Sequence, residues 1–220
     1  LQRTIPPQVL EGCCRELKTG GSYDLNELAE SLSASGYVRC EQVEGVGQFA
    51  LRGGILDVFS PGMDSPIRVE FFGDEVDAMG IFDPATQRRT ENVSSALLLP
   101  AAEVLPQLSP GGFAGLSKKL KKLAAKALEN GNWELNKTLE QDGEAIAQGK
   151  TFPALDRYLP LIYPELAGAA DYLPPDACVI LDQAPRSADR AKSYQWQLEE
   201  DVKLLLEQGE LDPACTELAL

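Results

Sequence analysis

Within residues 47–82, GQFALRGGILDVFSPGMDSPIRVEFFGDEVDAMGIF, two arginines and a phenylalanine stand where strand alternation turns them away from a core. In Ile67-Arg68-Val69-Glu70-Phe71-Phe72, alternation sends Ile67, Val69 and Phe71 to one face and Arg68, Glu70 and Phe72 to the other. In Gln48-Phe49-Ala50-Leu51-Arg52 the same rule separates Phe49 and Leu51 from Gln48, Ala50 and Arg52, so Arg52 can join Arg68 and Phe72 on one outward surface. From residue 22 to residue 100 there is no lysine; the cations are Arg39, Arg52, Arg68, Arg88 and Arg89. Arginine suits bidentate, partly desolvated contacts, and beside an exposed aromatic ring it has the composition of a protein-interface hot spot. A plainer arrangement competes with it, in which Arg52 and Arg68 pair with Glu70 or Asp57 on a solvent face.

Other chemistry is excluded by what the chain lacks. Its 220 residues include 5 Cys and no His, so His/Cys metal sites, Ser/His/Asp triads and Cys/His dyads are without ligands or a base. Cys13, Cys14, Cys40, Cys178 and Cys215 form no C-x-x-C pair, and odd, scattered cysteines fit a reducing compartment. The net charge of −14 is shared: residues 1–100 carry 8 Lys+Arg against 15 Asp+Glu, and residues 101–220 carry 12 against 19. A field of that sign repels phosphate backbones and argues against sequence-independent nucleic-acid binding by the whole chain. No long apolar run occurs, and the start LQRTIPP has neither a signal pattern nor an initiator Met. A cytoplasmic piece of a longer chain is expected, without a membrane contact.

The elements that position the arginines follow from punctuation. Gly53-Gly54, Ser60-Pro61-Gly62 and Gly73-Asp74 separate short apolar runs, the spacing of an antiparallel sheet. Strands are predicted over 37–43, 48–51, 55–59, 67–72, 76–82 and 96–99, with Gly53-Gly54 as a kink after Arg52. Asp24, with Glu27 three residues on, opens a helix carrying Leu25, Leu28 and Leu32 on one face and ending at Gly36. Before it, residues 1–22 read as a lead-in from a preceding subdomain, with Pro6-Pro7 blocking a helix start and a short helix or strand over 8–17. Residues 23–105 thus form a small α+β domain.

From residue 106 the chain turns helical. Leu116, Leu120, Leu123, Ala127 and Leu128 make an apolar stripe ringed by Lys118, Lys119, Lys121, Lys122 and Lys126. That lysine cluster reads as a solvated helix face, with a nucleic-acid backbone or an acidic partner as the sharper alternative. A second helix is predicted over 133–148, packed turns over 152–175, a buried strand at 178–182 and a helix over 187–208. The last two read as a βα piece of a larger α/β domain, so residues 106–220 form a mostly helical subdomain with a terminal βα segment. Gly149-Lys150-Thr151 and Asn136-Lys137-Thr138 are near misses for a phosphate loop: Gly143 stands one residue too far from the first, the second keeps the spacing from Gly131 but lacks the second glycine, and neither has a preceding strand. Gly45-x-Gly47 fails as a dinucleotide fingerprint, since no helix follows. No cofactor and no metal are expected.

Three longer stretches carry a resemblance. GYVRCEQVEGVGQFALRGGILDVFSP, PIRVEFFGDEVDAMGIFDPATQRR and LLPAAEVLP resemble the UvrB-interaction domain family, found in UvrB and in bacterial transcription-repair-coupling factors. The match is ordered and correctly spaced over residues 36–105. LPLIYPELAGAADYLPPDACVILDQ resembles the coupling factors rather than UvrB. The resemblance implies a UvrA-recruiting module of nucleotide excision repair, carried by an ATP-driven DNA translocase that displaces stalled RNA polymerase.

In that family the UvrA contact is made by the Arg of F-A-x-R-G-G and by the Arg and second Phe of R-x-E-x-F, which here are Arg52, Arg68 and Phe72. Arg88 and Arg89 are held as periphery. Gly80 stands where the family usually has arginine, and Arg89 where it usually has serine. The resemblance implies UvrA and other domains of the same parent chain as partners, and RNA polymerase and DNA only through domains outside these residues. The isolated chain is expected to be non-enzymatic. The alternatives are a DNA-engaging fragment of a UvrB-like damage-recognition helicase and an inert scaffold.

Overall fold

The structure is a computed structural model that describes residues 3–150 and 152–216. It has the expected α+β character. Two compact units divide the chain: Gln8–Leu105, and Leu1–Pro7 together with Pro106–Leu220.

The first unit is organised by a six-stranded sheet of β2 (Val38–Arg39), β3 (Gln48–Arg52), β4 (Ile55–Phe59), β5 (Ile67–Phe72), β6 (Glu75–Phe82) and β7 (Arg89–Asn92), in that spatial order. All neighbours are antiparallel except β2 and β3, which run parallel. Two-residue turns join β3 to β4 and β5 to β6, with Gly53 and Gly73 at φ +59° and +63°. The positive φ that such hairpins require explains glycine there. Gly53-Gly54 is therefore a hairpin turn, not a kink in a continuing strand. A Cβ on Gly54 would lie 2.8 Å from the Phe71 carbonyl oxygen, so the third strand can close on this turn only past a glycine.

Helix α2 (Leu25–Ala34) starts where expected, with the Asp24 carboxylate accepting from the Asn26 and Glu27 amides. It buries Leu28, Ala29 and Leu32 in the same core as Phe49, Leu56, Val58, Ile67, Val69, Val76 and Met79. Alternation along β3, β4 and β5 predicts that set, because paired residues of neighbouring strands share a face. Two elements differ from expectation before this helix. Helix α1 (Pro7–Cys13) begins at a proline rather than being blocked by it, since the first helical position needs no amide hydrogen. Strand β1 (Arg15–Lys18) pairs antiparallel with β8 (Ser95–Leu98), so residues 8–22 are built into the first unit rather than leading into it. The strand expected over 37–43 shrinks to Val38–Arg39. The chain then turns away, and Val43 joins Ala50, Phe59 and Phe82 in a second small core on the other face of the sheet.

In the second unit α3 (Gly112–Glu129) and α4 (Trp133–Ala147) pack as a hairpin. Leu116, Leu120, Ala124 and Ala127 are buried on one helix, and Leu135, Leu139 and Ile146 on the other. Ser117 Oγ donates to the Gly143 carbonyl at 2.7 Å and ties the two helices together. Short turns and α5 (Leu159–Ile162) follow. Residues 178–182 form no strand and are exposed, because no neighbouring strand in the described residues offers hydrogen bonds or an apolar cover. Helix α6 (Ala184–Glu207) buries none of its residues. No helix among the described residues is long and apolar enough to cross a membrane.

Neither phosphate-loop near miss sits between a strand and a helix. Asn136-Lys137-Thr138 lies inside α4, Gly149 and Lys150 follow its C-terminus, and Thr151 lies outside the described residues.

Candidate partner-binding surface

The face of the sheet opposite α2 carries the predicted residues in successive rows. Across the strands, Ala50, Asp57, Arg68, Gly80 and Asn92 form one row, and Arg52, Ile55, Glu70 and Ala78 the next. Phe72, opposite Glu75, lies one row further. Strand geometry puts the Cα atoms of Arg52 and Phe72 roughly 12 Å apart on one side.

Asp57 is the pivot of these rows. Its side chain has 0% exposure, yet it touches two guanidinium groups: Arg52 Nη2 donates to Oδ2 at 2.7 Å, while Arg68 Nε and Nη2 donate to Oδ1 and Oδ2 at 2.7 and 2.8 Å. A buried carboxylate is tolerated only when charge and lone pairs are matched, and two arginines supply both. Arg68 is further held by the Gln87 carbonyl and side-chain oxygens, each at 3.3 Å, and its guanidinium carbon lies 4.7 Å from the Phe82 ring centroid. The Asp57 hydrogen bonds raise the Arg68 pKa beyond its already high value, so its charge is permanent. Gln87 reaches this position at φ +59°, in a turn whose Asp83 carboxylate accepts from the Ala85 and Thr86 amides.

The three predicted residues therefore share a face but differ in access. The Phe72 side chain projects into solvent, with the residue 86% exposed. Arg52 keeps 51% of its side chain exposed, while Arg68 keeps 19%. The face also holds residues that pattern alone did not nominate. Ile55, 38% exposed, sits between Arg52 and Glu70 and extends the apolar surface toward Phe72. Asp57 entered the sequence reading only as a partner in a plain ion pair; its burial under two strands' side chains leaves no local signal.

Arg89 and Gly80 explain each other. Arg89 Nη2 pairs with Glu70 Oε1 at 2.5 Å, and its side chain lies across Gly80, where an added Cβ would fall 2.7 Å from Arg89 Nε. A guanidinium thus occupies the surface above position 80 although that residue has no side chain. Arg88 is exposed at the edge of the same turn.

The first unit is thus a two-layer α+β module that presents arginines and an aromatic ring on one sheet face. Residues 16–103 match the family described as the UvrB interaction domain. The chain as a whole is similar to transcription-repair-coupling factors. It is 30% identical over 218 residues to that of Bacillus subtilis (strain 168), covering 96% of this chain and 18% of that protein. With that of Haemophilus influenzae the identity is 32% over 213 residues, 97% of this chain and 17% of that protein. With that of Escherichia coli (strain K12) it is 38% over 103 residues, 47% of this chain and 9% of that protein. The chain spans less than a fifth of the length of these relatives.

Proposed function

We propose that the outward end of the sheet is a docking surface for UvrA. Arg52 and Phe72 supply its accessible contacts, Arg68 shares the Asp57 carboxylate with Arg52 and presents its remaining edge, and Arg88 and Arg89 lie at the periphery. The observation that carries this reading is the exposure of Phe72 beside a half-exposed Arg52 whose guanidinium is held by a fully buried carboxylate. A pre-organised arginine loses little freedom on binding, and an exposed ring flanked by Ile55 supplies desolvation energy. In this reading the chain is a non-catalytic, cytoplasmic module that recruits UvrA to stalled transcription complexes in nucleotide excision repair. Translocation and polymerase contacts belong to other parts of a longer protein. The exposed apolar residues Val179, Ile180 and Leu181 with α6 would complete a sheet carried by that longer protein.

The test is calorimetric titration of UvrA into the chain and into Arg52→Ala, Arg68→Ala and Phe72→Ala. Loss of a hot-spot residue costs on the order of 2–4 kcal/mol, so at least tenfold weaker binding is expected for Arg52→Ala and Phe72→Ala in folded protein. Unchanged affinity in both sinks the proposal.

A further inference from the structure

Helix α3 carries a second charged surface that the docking face does not use. Five of the chain's 20 basic residues, Lys118, Lys119, Lys121, Lys122 and Lys126, fall within nine positions, and no acidic residue occurs between Glu103 and Glu129. All five are exposed, opposite the buried row of Leu116, Leu120, Ala124 and Ala127. Lys118, Lys122 and Lys126 recur at i, i+4 and i+8, one ridge about 12 Å long. Lys119 flanks it, with Nζ donating to the Leu161 carbonyl at 3.3 Å.

A solvated helix face is ordinarily interleaved with glutamates at i±4, which gives favourable pairs; like charges at that spacing are destabilising. Here the repulsion runs from Lys118 to Lys126 in a chain of net charge −14, and no acidic residue of α3 stands before Glu129 at its C-terminal end. An external polyanion relieves it. We infer that the lysine ridge of α3 binds the phosphate backbone of duplex nucleic acid without reading its sequence.

Residue type chooses this ligand over the other anionic surfaces. Lysine is a hydrated point charge on a flexible stem, suited to solvated phosphates, and it is depleted at protein–protein interfaces. The remaining exposed residues of the helix are Ala114, Ala125, Leu128 and Glu129, with no aromatic anchor for a protein hot spot and a single half-exposed leucine, too little apolar surface to hold a bilayer. The sheet face, with arginines and Phe72, has the opposite chemistry. The overall negative charge does not forbid the contact at physiological salt, where screening over about 8 Å makes the ridge act locally.

The inference is tested by fluorescence anisotropy with a labelled duplex of about 20 base pairs, between about 50 and 200 mM salt. Binding by the whole chain is expected to weaken with salt along a log–log slope of about −3, the mark of three or four phosphates neutralised. The triple variant Lys118→Gln/Lys122→Gln/Lys126→Gln keeps good helix formers, which circular dichroism verifies. It is expected to bind at least tenfold more weakly at the lower salt, with a slope near zero. Phe72→Ala is expected to bind the duplex unchanged, which separates this surface from the UvrA reading. Absence of salt-dependent binding, or binding undiminished in the triple variant, overturns the inference. Tighter binding to polyglutamate or to phosphatidylserine vesicles than to the duplex at equal salt also overturns it, in favour of an acidic protein or a membrane.

Discussion

Arg68 grips both oxygens of Asp57, Nε to Oδ1 at 2.7 Å and Nη2 to Oδ2 at 2.8 Å, and the carboxylate has no exposed surface. The same carboxylate accepts from Arg52, so two cations of different strands are joined through one buried anion. The arrangement converts part of an exposed arginine surface into a rigid one, and it makes the surface depend on a residue no partner can touch.

Asp57→Asn keeps the shape and removes the charge, leaving Arg68 without its counter-ion in a mostly buried position. Breaking a buried pair by one partner typically costs about 3–5 kcal/mol, so a loss at the lower end of that range is expected in urea unfolding. Arg52→Ala removes a half-exposed partner and should cost about 1 kcal/mol or less. A double-mutant cycle checks the coupling: once Asp57 is Asn, Arg52→Ala should have almost no further effect.

Phe72→Ala should leave stability within about 0.5 kcal/mol of the parent chain, because the ring is in solvent. The combination of unchanged urea midpoint and weakened UvrA binding distinguishes a contact residue from a structural one. Phe82→Ala should behave in the opposite way for stability, costing about 3 kcal/mol or more, since that ring is fully buried beneath Arg68.

Gly80→Ala adds a Cβ that would meet the Glu91 carbonyl oxygen at 2.6 Å and Arg89 Nε at 2.7 Å. A loss of about 1–3 kcal/mol is expected. Adding Arg89→Ala should recover only part of it, because the side chain is removed while the backbone oxygen of the paired strand stays. Thermal melts of the two variants read this difference directly.

The second unit should be sensitive to alkali. Burial pushes the Cys215 thiol up to about 12 from the ordinary 9.0, and burial with the Asp142 hydrogen bond pushes Tyr158 up as well. For a group whose folded pKa is raised, the stabilising contribution is complete below the unfolded pKa and disappears as pH rises toward the folded one. Cys215 should therefore cost about 1.4 kcal/mol per pH unit between roughly pH 9 and 12. In Cys215→Ala the decline in melting temperature between about pH 9 and 10 should be shallower than in the parent chain, because the most strongly shifted thiol is gone.

Local periodicity was enough to place Arg68, Glu70 and Phe72 on one face of β5, because alternation is a property of a single strand. It was also enough for the start of α2, since the Asp24 cap contacts amides only two and three residues away. The pairing of Arg52 with Arg68 through Asp57 lay outside local reading, because it depends on the register of three strands and on a second small core that buries the carboxylate. The cover over Gly80 depends likewise on Arg89 arriving from the next strand. The apolar run at 178–182 shows the same division from the other side. Its composition favours a strand, but a strand exists only where a neighbour accepts its hydrogen bonds, and none of the described residues does so. The sequence alone thus determined which residues face outward and what contact chemistry they carry. Tertiary structure decided which of them are free to use it, because access is set by what other strands bring across the face.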